Sequence, residues 1–124
     1  MNVRLLRKIA KVIQEKPREF SIVTWHRNKS VGFDKAILYE VPEEKRVSCR
    51  TTHCIAGWAQ VLSPDHNCHE AAPDDAQRLL GITDYEASRL FYGYNWPKGF
   101  GGLRANAKQA AARIEHFIKT KGAE

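Results

Sequence analysis

The chain is short of cysteine, of long apolar runs and of internal repetition, and each shortage removes a class of answer. Three cysteines, Cys49, Cys54 and Cys68, cannot all pair within one chain, and 124 residues are enough to build a core without a disulfide scaffold. Reduced thiols are expected. No apolar stretch approaches the roughly 18 residues of a membrane span, and the first residues, Met1-Asn2-Val3-Arg4-Leu5-Leu6-Arg7-Lys8, interrupt their apolar positions with charge. No membrane partner and a cytoplasmic location are expected. The lack of repeats and low-complexity tracts argues against solenoids and collagen-like chains, and 43% hydrophobic with 27% charged residues argues against disorder. A single soluble domain over residues 1–124 is the expectation.

Acidic residues are the scarcer charge, with Asp plus Glu at 14 against Lys plus Arg at 20, a net +6. Residues 1–29 carry a net +6 and residues 93–124 a net +4, while 30–70 and 71–92 each carry −2. Both basic stretches are terminal. They form one face if the two ends pack together, and a negatively charged partner is then favoured. The plainer reading is two solvated helix faces.

Apolar spacing sets the elements. Val3, Leu6, Ile9 and Ile13 recur at helical intervals and predict an amphipathic helix that stops before Pro17. Residues 20–25 (Phe-Ser-Ile-Val-Thr-Trp) are β-branched and aromatic and read as extended. Residues 36–41 and 46–50 flank Pro42-Glu43-Glu44-Lys45 and read as a small antiparallel hairpin. Thr51 or Thr52 caps a helix over 54–62, inside which Gly57 costs roughly 1 kcal/mol relative to Ala. Its presence predicts another backbone passing close by. A helix over 71–80 has Pro73, Asp74 and Asp75 in its first turn and Gly81 as its stop. Thr83 and Glu86 match a capping box, and an Ala-rich helix over 104–120 closes the chain with Leu103, Ala107, Ala110, Ile114 and Phe117 on its stripe. The fold class is α+β, predominantly α-helical: a compact helix-rich domain with a small β-hairpin.

One connector concentrates binding chemistry. Tyr92, Tyr94, Trp96 and Phe100 offer flat π faces, and Gly99, Gly101 and Gly102 let a ligand approach the backbone before a helix N-terminus that favours an anion. Lys98 and Arg104 flank that point, and Trp25 adds a ring beside His26-Arg27-Asn28-Lys29. The candidate ligand-binding residues are therefore Trp96, Tyr94, Lys98, Arg104, Tyr92 and Trp25. The alternative is a loop whose rings cover the core.

The segment Cys49-Arg50-Thr51-Thr52-His53-Cys54, with Cys68-His69 further on, carries the reactive residue types. The interval of five between the first two cysteines matches no standard zinc knuckle, so no metal is assigned. Cys54 at a helix start is a candidate nucleophile, since the helix dipole lowers a thiol pKa, and His26, His66, His69 or His116 would be its base. A buried packing thiol is the other reading.

Cys49, then Thr52-His53-Cys54-Ile55-Ala56-Gly57-Trp58-Ala59, then Leu79-Leu80-Gly81-Ile82-Thr83, Glu86-Ala87, Leu90-Phe91 and Asn95-Trp96-Pro97 occur in an order that resembles a family of small phage and bacterial proteins. Their hallmark is a Cys-Ile-Ala-Gly-Trp-Ala helix. The resemblance spans roughly residues 1–118, and this chain is longer between 28 and 47. It implies a bacterial host cell as the location and carries over no catalytic residue and no cofactor. The function expected is non-enzymatic binding of a small anionic ligand such as a nucleotide, with sequestration of a host nucleotide or cyclic-nucleotide immune signal as the anti-defense form of it. A homo-oligomer is an expected assembly, because small pocket proteins often build sites between subunits. The alternatives are a nucleic-acid or protein-partner module with a basic face, without any helix-turn-helix signature, and a thiol enzyme centred on Cys54.

Overall fold

The computed structural model describes residues 1–47 and 50–124; Cys49, and with it residues 48–49 of the expected hairpin's second arm, lie outside the described residues. Helix α1 (Val3–Glu15) starts where the Asn2 side chain accepts the Leu5 amide and buries Leu5, Leu6, Ile9, Ala10 and Ile13. Helix α2 (Ile55–Leu62) is buried on every side from Ile55 to Gln60 and forms the centre of the molecule. Helices α3 (Ala72–Leu80) and α4 (Asp84–Phe91) follow, and α5 (Ala107–Lys119) returns to lie along α1. The α1–α5 contact is the most extensive between elements, so the two basic ends of the chain do pack together.

Two short antiparallel strands complete the fold, β1 (His26–Asn28) and β2 (Thr51–His53), with His26 opposite His53. Alternation along them puts His26, Asn28, Thr51 and His53 inside and Arg27 outside. The α+β class, mainly helical, is therefore the observed one. No helix among the described residues is long and apolar enough to cross a membrane.

The sheet is not built where the hairpin was expected. Residues 38–40 and 43–45 form 3-10 turns, closed by Val41 N to Leu38 O at 2.9 Å and Lys45 N to Pro42 O at 2.8 Å. Side chains three apart eclipse in a 3-10 turn, so Leu38 and Val41 are both buried by a spacing of three rather than by strand alternation. Residues 20–25 are mostly turn, with Phe20 bridging to His53 and the strand beginning one residue later, at His26. Thr51 and Thr52 belong to β2, and Cys54 caps α2 through its sulfur, which accepts the Gly57 amide. Helix α5 starts at Ala107 rather than 104, and Leu103 stands exposed in a separate 3-10 turn, Gly102–Arg104.

The expected close approach at Gly57 is present. A Cβ there would lie 2.0 Å from the Trp25 carbonyl oxygen, so α2 and the 22–25 turn touch backbone to backbone. The Thr83–Glu86 capping box is also formed, and Gly81 ends α3 at φ 62°.

Candidate functional site

Two backbone crossings shape the groove in which three of the six expected ligand-binding residues meet. On one side the 22–25 turn is pinned by Cys54 N to Thr24 O at 2.7 Å, by the Gly57 contact and by the Thr24 and Thr52 hydroxyls 3.2 Å apart. On the other side Gly93 passes against Gly102, whose carbonyl oxygen would lie 2.6 Å from a Cβ at Gly93. That contact holds the Gly93–Asn95 3-10 turn on the Gly102–Arg104 turn and brings Tyr92, Tyr94 and Leu103 to one rim.

Between the rims lies a cavity of about 230 Å³ lined by Ile22, Val23, Trp25, Tyr92, Tyr94 and Leu103, among others. Trp25 meets Tyr92 edge to face, with ring centroids 5.8 Å apart and an interplanar angle of 88°. Tyr92 and Tyr94 lie 5.7 Å apart at 36°. Tyr94 is 68% exposed. Partial burial, with Tyr94 adding to it, raises the Tyr92 phenol, so it stays neutral and able to donate. The walls are apolar and flat, and the polar groups within reach are hydroxyls and backbone.

The other three expected residues lie elsewhere. Trp96 is interior, with its indole N–H donating to the Leu90 carbonyl at 2.9 Å and its ring 5.9 Å from the Arg113 guanidinium carbon. Arg113 is itself fully buried among the Trp96, Phe100 and Phe117 rings, and burial lowers its pKa to about 10. Lys98 and Arg104 are exposed and do not line the groove. Nor is the α5 N-terminus open: Asn106 and Gln109 close it with reciprocal side-chain bonds of 2.8 and 3.0 Å. Sequence reading missed Ile22, Val23 and Leu103 as wall residues, because Leu103 fits the helical stripe of α5 and the 22–25 turn resembles a strand.

Cys54 is unsuited to attack. Its thiol is fully buried, and desolvation outweighs the helix-end amides and raises its pKa to about 12. Among the described residues no group of three or more His, Cys, Asp or Glu side chains is placed to hold a metal ion.

No family model, curated protein or solved structure matches this chain.

A second, buried cluster pairs two histidines that the sequence offered only separately, His26 as a base for Cys54 and His53 in the reactive segment. His26 Nδ1 and His53 Nδ1 are 2.8 Å apart, His26 Nε2 is 2.6 Å from Gln60 Oε1, and His53 Nε2 is 2.6 Å from the Arg46 carbonyl. Gln60 Nε2 donates to Asp75 Oδ2 at 3.0 Å, and Arg78 closes the line on Asp75 Oδ1 at 2.5 Å. The period-two placement of His26 with Asn28, and of Thr51 with His53, is the signal that could have found it.

Proposed function

We propose that this is a non-enzymatic binding protein that seats a small ligand with a planar ring in the groove between Trp25, Tyr92 and Tyr94. The observation that carries the reading is that these rings, 69 positions apart in sequence at the extremes of Trp25 and Tyr94, converge on one apolar cavity of about 230 Å³. A nucleotide is the class to try first. Its base fits flat aromatic walls, and its phosphates would gain from a protein of net charge +6. The phage or bacterial character implied by the α2 motif makes a host nucleotide signal the leading candidate within that class.

Tryptophan fluorescence tests it, because Trp58 and Trp96 are interior and Trp25 alone borders the groove. Titration with nucleosides, nucleoside mono- and diphosphates and cyclic nucleotides is expected to give saturable quenching by at least one nucleotide. Trp25→Phe removes that signal, and Tyr94→Ala weakens affinity about tenfold, from a stacking contribution of roughly 1 to 3 kcal/mol per ring. No response from any member of the panel at high micromolar concentration overturns the proposal.

The packing of α1 against α5 favours a second reading, a face for the nucleic-acid backbone. Arg4, Arg7, Lys8 and Lys11 stand exposed on α1, and Lys108 and Lys119 on α5. Glu115 and Glu15 offset part of this charge, at 4.0 Å from Arg7 and 3.9 Å from Lys11. Duplex and single-strand affinity falling steeply with salt supports this reading, and affinity independent of salt removes it.

A further inference from the structure

Hydrogen counting around His26 and His53 leaves the pair one proton short. Gln60 Nε2 points at three acceptors, the Asn67 carbonyl at 3.3 Å, the Glu70 carbonyl at 3.2 Å and Asp75 Oδ2 at 3.0 Å. Its amide orientation is thereby fixed, and the atom facing His26 Nε2 is an oxygen without a hydrogen. His26 Nε2 must carry one. The Arg46 carbonyl imposes the same demand on His53 Nε2. Two neutral imidazoles have two ring hydrogens in total, and both are now assigned. The two Nδ1 atoms still face each other at 2.8 Å, a hydrogen-bond distance that two bare lone pairs do not tolerate.

We infer that His26 and His53 form a one-proton latch: a single extra proton from solvent, shared on the Nδ1–Nδ1 axis, closes all three contacts, and its loss opens one of them. The latch joins four parts of the fold. His26 and His53 are cross-strand partners on β1 and β2, Gln60 lies on α2, and Arg46 follows the Glu43–Lys45 turn. Through Gln60 the line extends to Asp75 on α3. When the proton leaves, both Nε2–H bonds are kept, the two Nδ1 lone pairs repel, and the cross-strand contact between the rings opens.

The surroundings set which proton is accepted. Burial disfavours charge on both rings. The carbonyls of Arg46 and Trp25 and the carboxylate of Asp34, which also accepts the His26 amide at 3.0 Å, favour a proton on His53. His53, Arg46 and His66 all oppose a proton on His26, and only its bond to Gln60 favours one. The Trp58 ring from α2 covers His53 at a centroid distance of 4.8 Å, and the Cys54 thiol nearby is neutral. The first proton is therefore admitted and the second refused, since it would put two cations 2.8 Å apart in the interior.

Imidazole nitrogen–proton correlation spectra of the unmodified protein, recorded from pH 8 to pH 4, test the latch. Five histidines are present, and His66, His69 and His116 are outside the buried set, so His66→Ala, His69→Ala and His116→Ala each delete one pattern and leave the pair identified. The expected result is uptake of one proton by His26 and His53 together, with a low-field Nδ1 proton appearing as it enters and with Nε2–H retained on both rings. Uptake of two protons above pH 4, of none, or a neutral Nδ1–H tautomer on either ring overturns the inference.

Discussion

Gly57 decides how closely α2 and the 22–25 turn can meet, and its energetics pull in two directions. Alanine is the better helix former by roughly 1 kcal/mol, which alone would make Gly57→Ala stabilising. Its methyl group, however, would sit 2.0 Å from the Trp25 carbonyl oxygen, a backbone atom that cannot swing aside. Overpacking of this kind costs about 1 to 3 kcal/mol or more. The clash wins, and the expected outcome is a net loss of about 2 kcal/mol or more in urea denaturation, with the native Trp25 fluorescence altered because Trp25 shifts. An unchanged or raised midpoint would mean that the two backbones separate at little cost. A neighbouring residue gives an independent check. With its thiol buried and raised to about 12, Cys54 should stay unmodified when the native protein is treated with iodoacetamide at pH 8, and should react once urea unfolds the chain. Peptide mass spectrometry reads this directly, and rapid native labelling at Cys54 would contradict the burial.

Helix ends carried their own instructions, whereas the small sheet did not. Thr83 and Glu86 specify the start of α4 from four consecutive positions, and both reciprocal bonds are formed, Glu86 N to Thr83 Oγ1 at 3.1 Å and Thr83 N to Glu86 Oε1 at 2.9 Å. Thr83→Ala removes one of them and should lower stability by about 1 kcal/mol, seen as a lower urea midpoint at unchanged slope. No change in midpoint would show that α4 is held by packing alone. The start of α2 was legible only in part, because the capping atom is a sulfur two residues beyond Thr52, the nearer of the threonines that conventional preference favours. The strands were illegible for a physical reason. β1 and β2 have three residues each, too few for alternation to stand out, and they pair across residues 29–50 rather than across the proline turn between them. Burial of Leu38 and Val41 through a 3-10 turn imitates the apolar content of a strand without its geometry. The groove was legible to the same degree: Tyr92 and Tyr94 are local neighbours, but their meeting with Trp25 depends on the Gly57 and Gly93 crossings, which only the folded chain reveals.

At the scale of the whole molecule, the buried histidines make stability depend on pH with a definite sign. His26 is lowered from 6.5 to about 3, chiefly by burial and next by His53, and His53 is lowered in the same direction by burial. The unfolded chain takes up a proton at His26 below about pH 6.5, while the folded chain refuses it until near pH 3. The unfolded state therefore binds more protons in that window, and stability is full above pH 6.5 and falls as pH drops. Each unshared proton contributes about 1.4 kcal/mol per pH unit, so His26 alone removes about 3 kcal/mol between pH 6.5 and pH 4. The shared proton adds a further test of slope. As pH falls below 6.5 the difference rises from about one proton toward two while both rings resist, and once the latch has closed it falls to one. Urea midpoints measured at half-unit intervals from pH 7.5 to 4 should trace a descending curve that becomes shallower on the acid side, superimposed on the smooth effect of the other groups. Replacing His26 by Gln removes one titrating site and with it the shallower acid limb. A stability curve that is flat from pH 7 to pH 4 would mean that the two rings are hydrated and charge freely, and the interior drawn around them would be wrong.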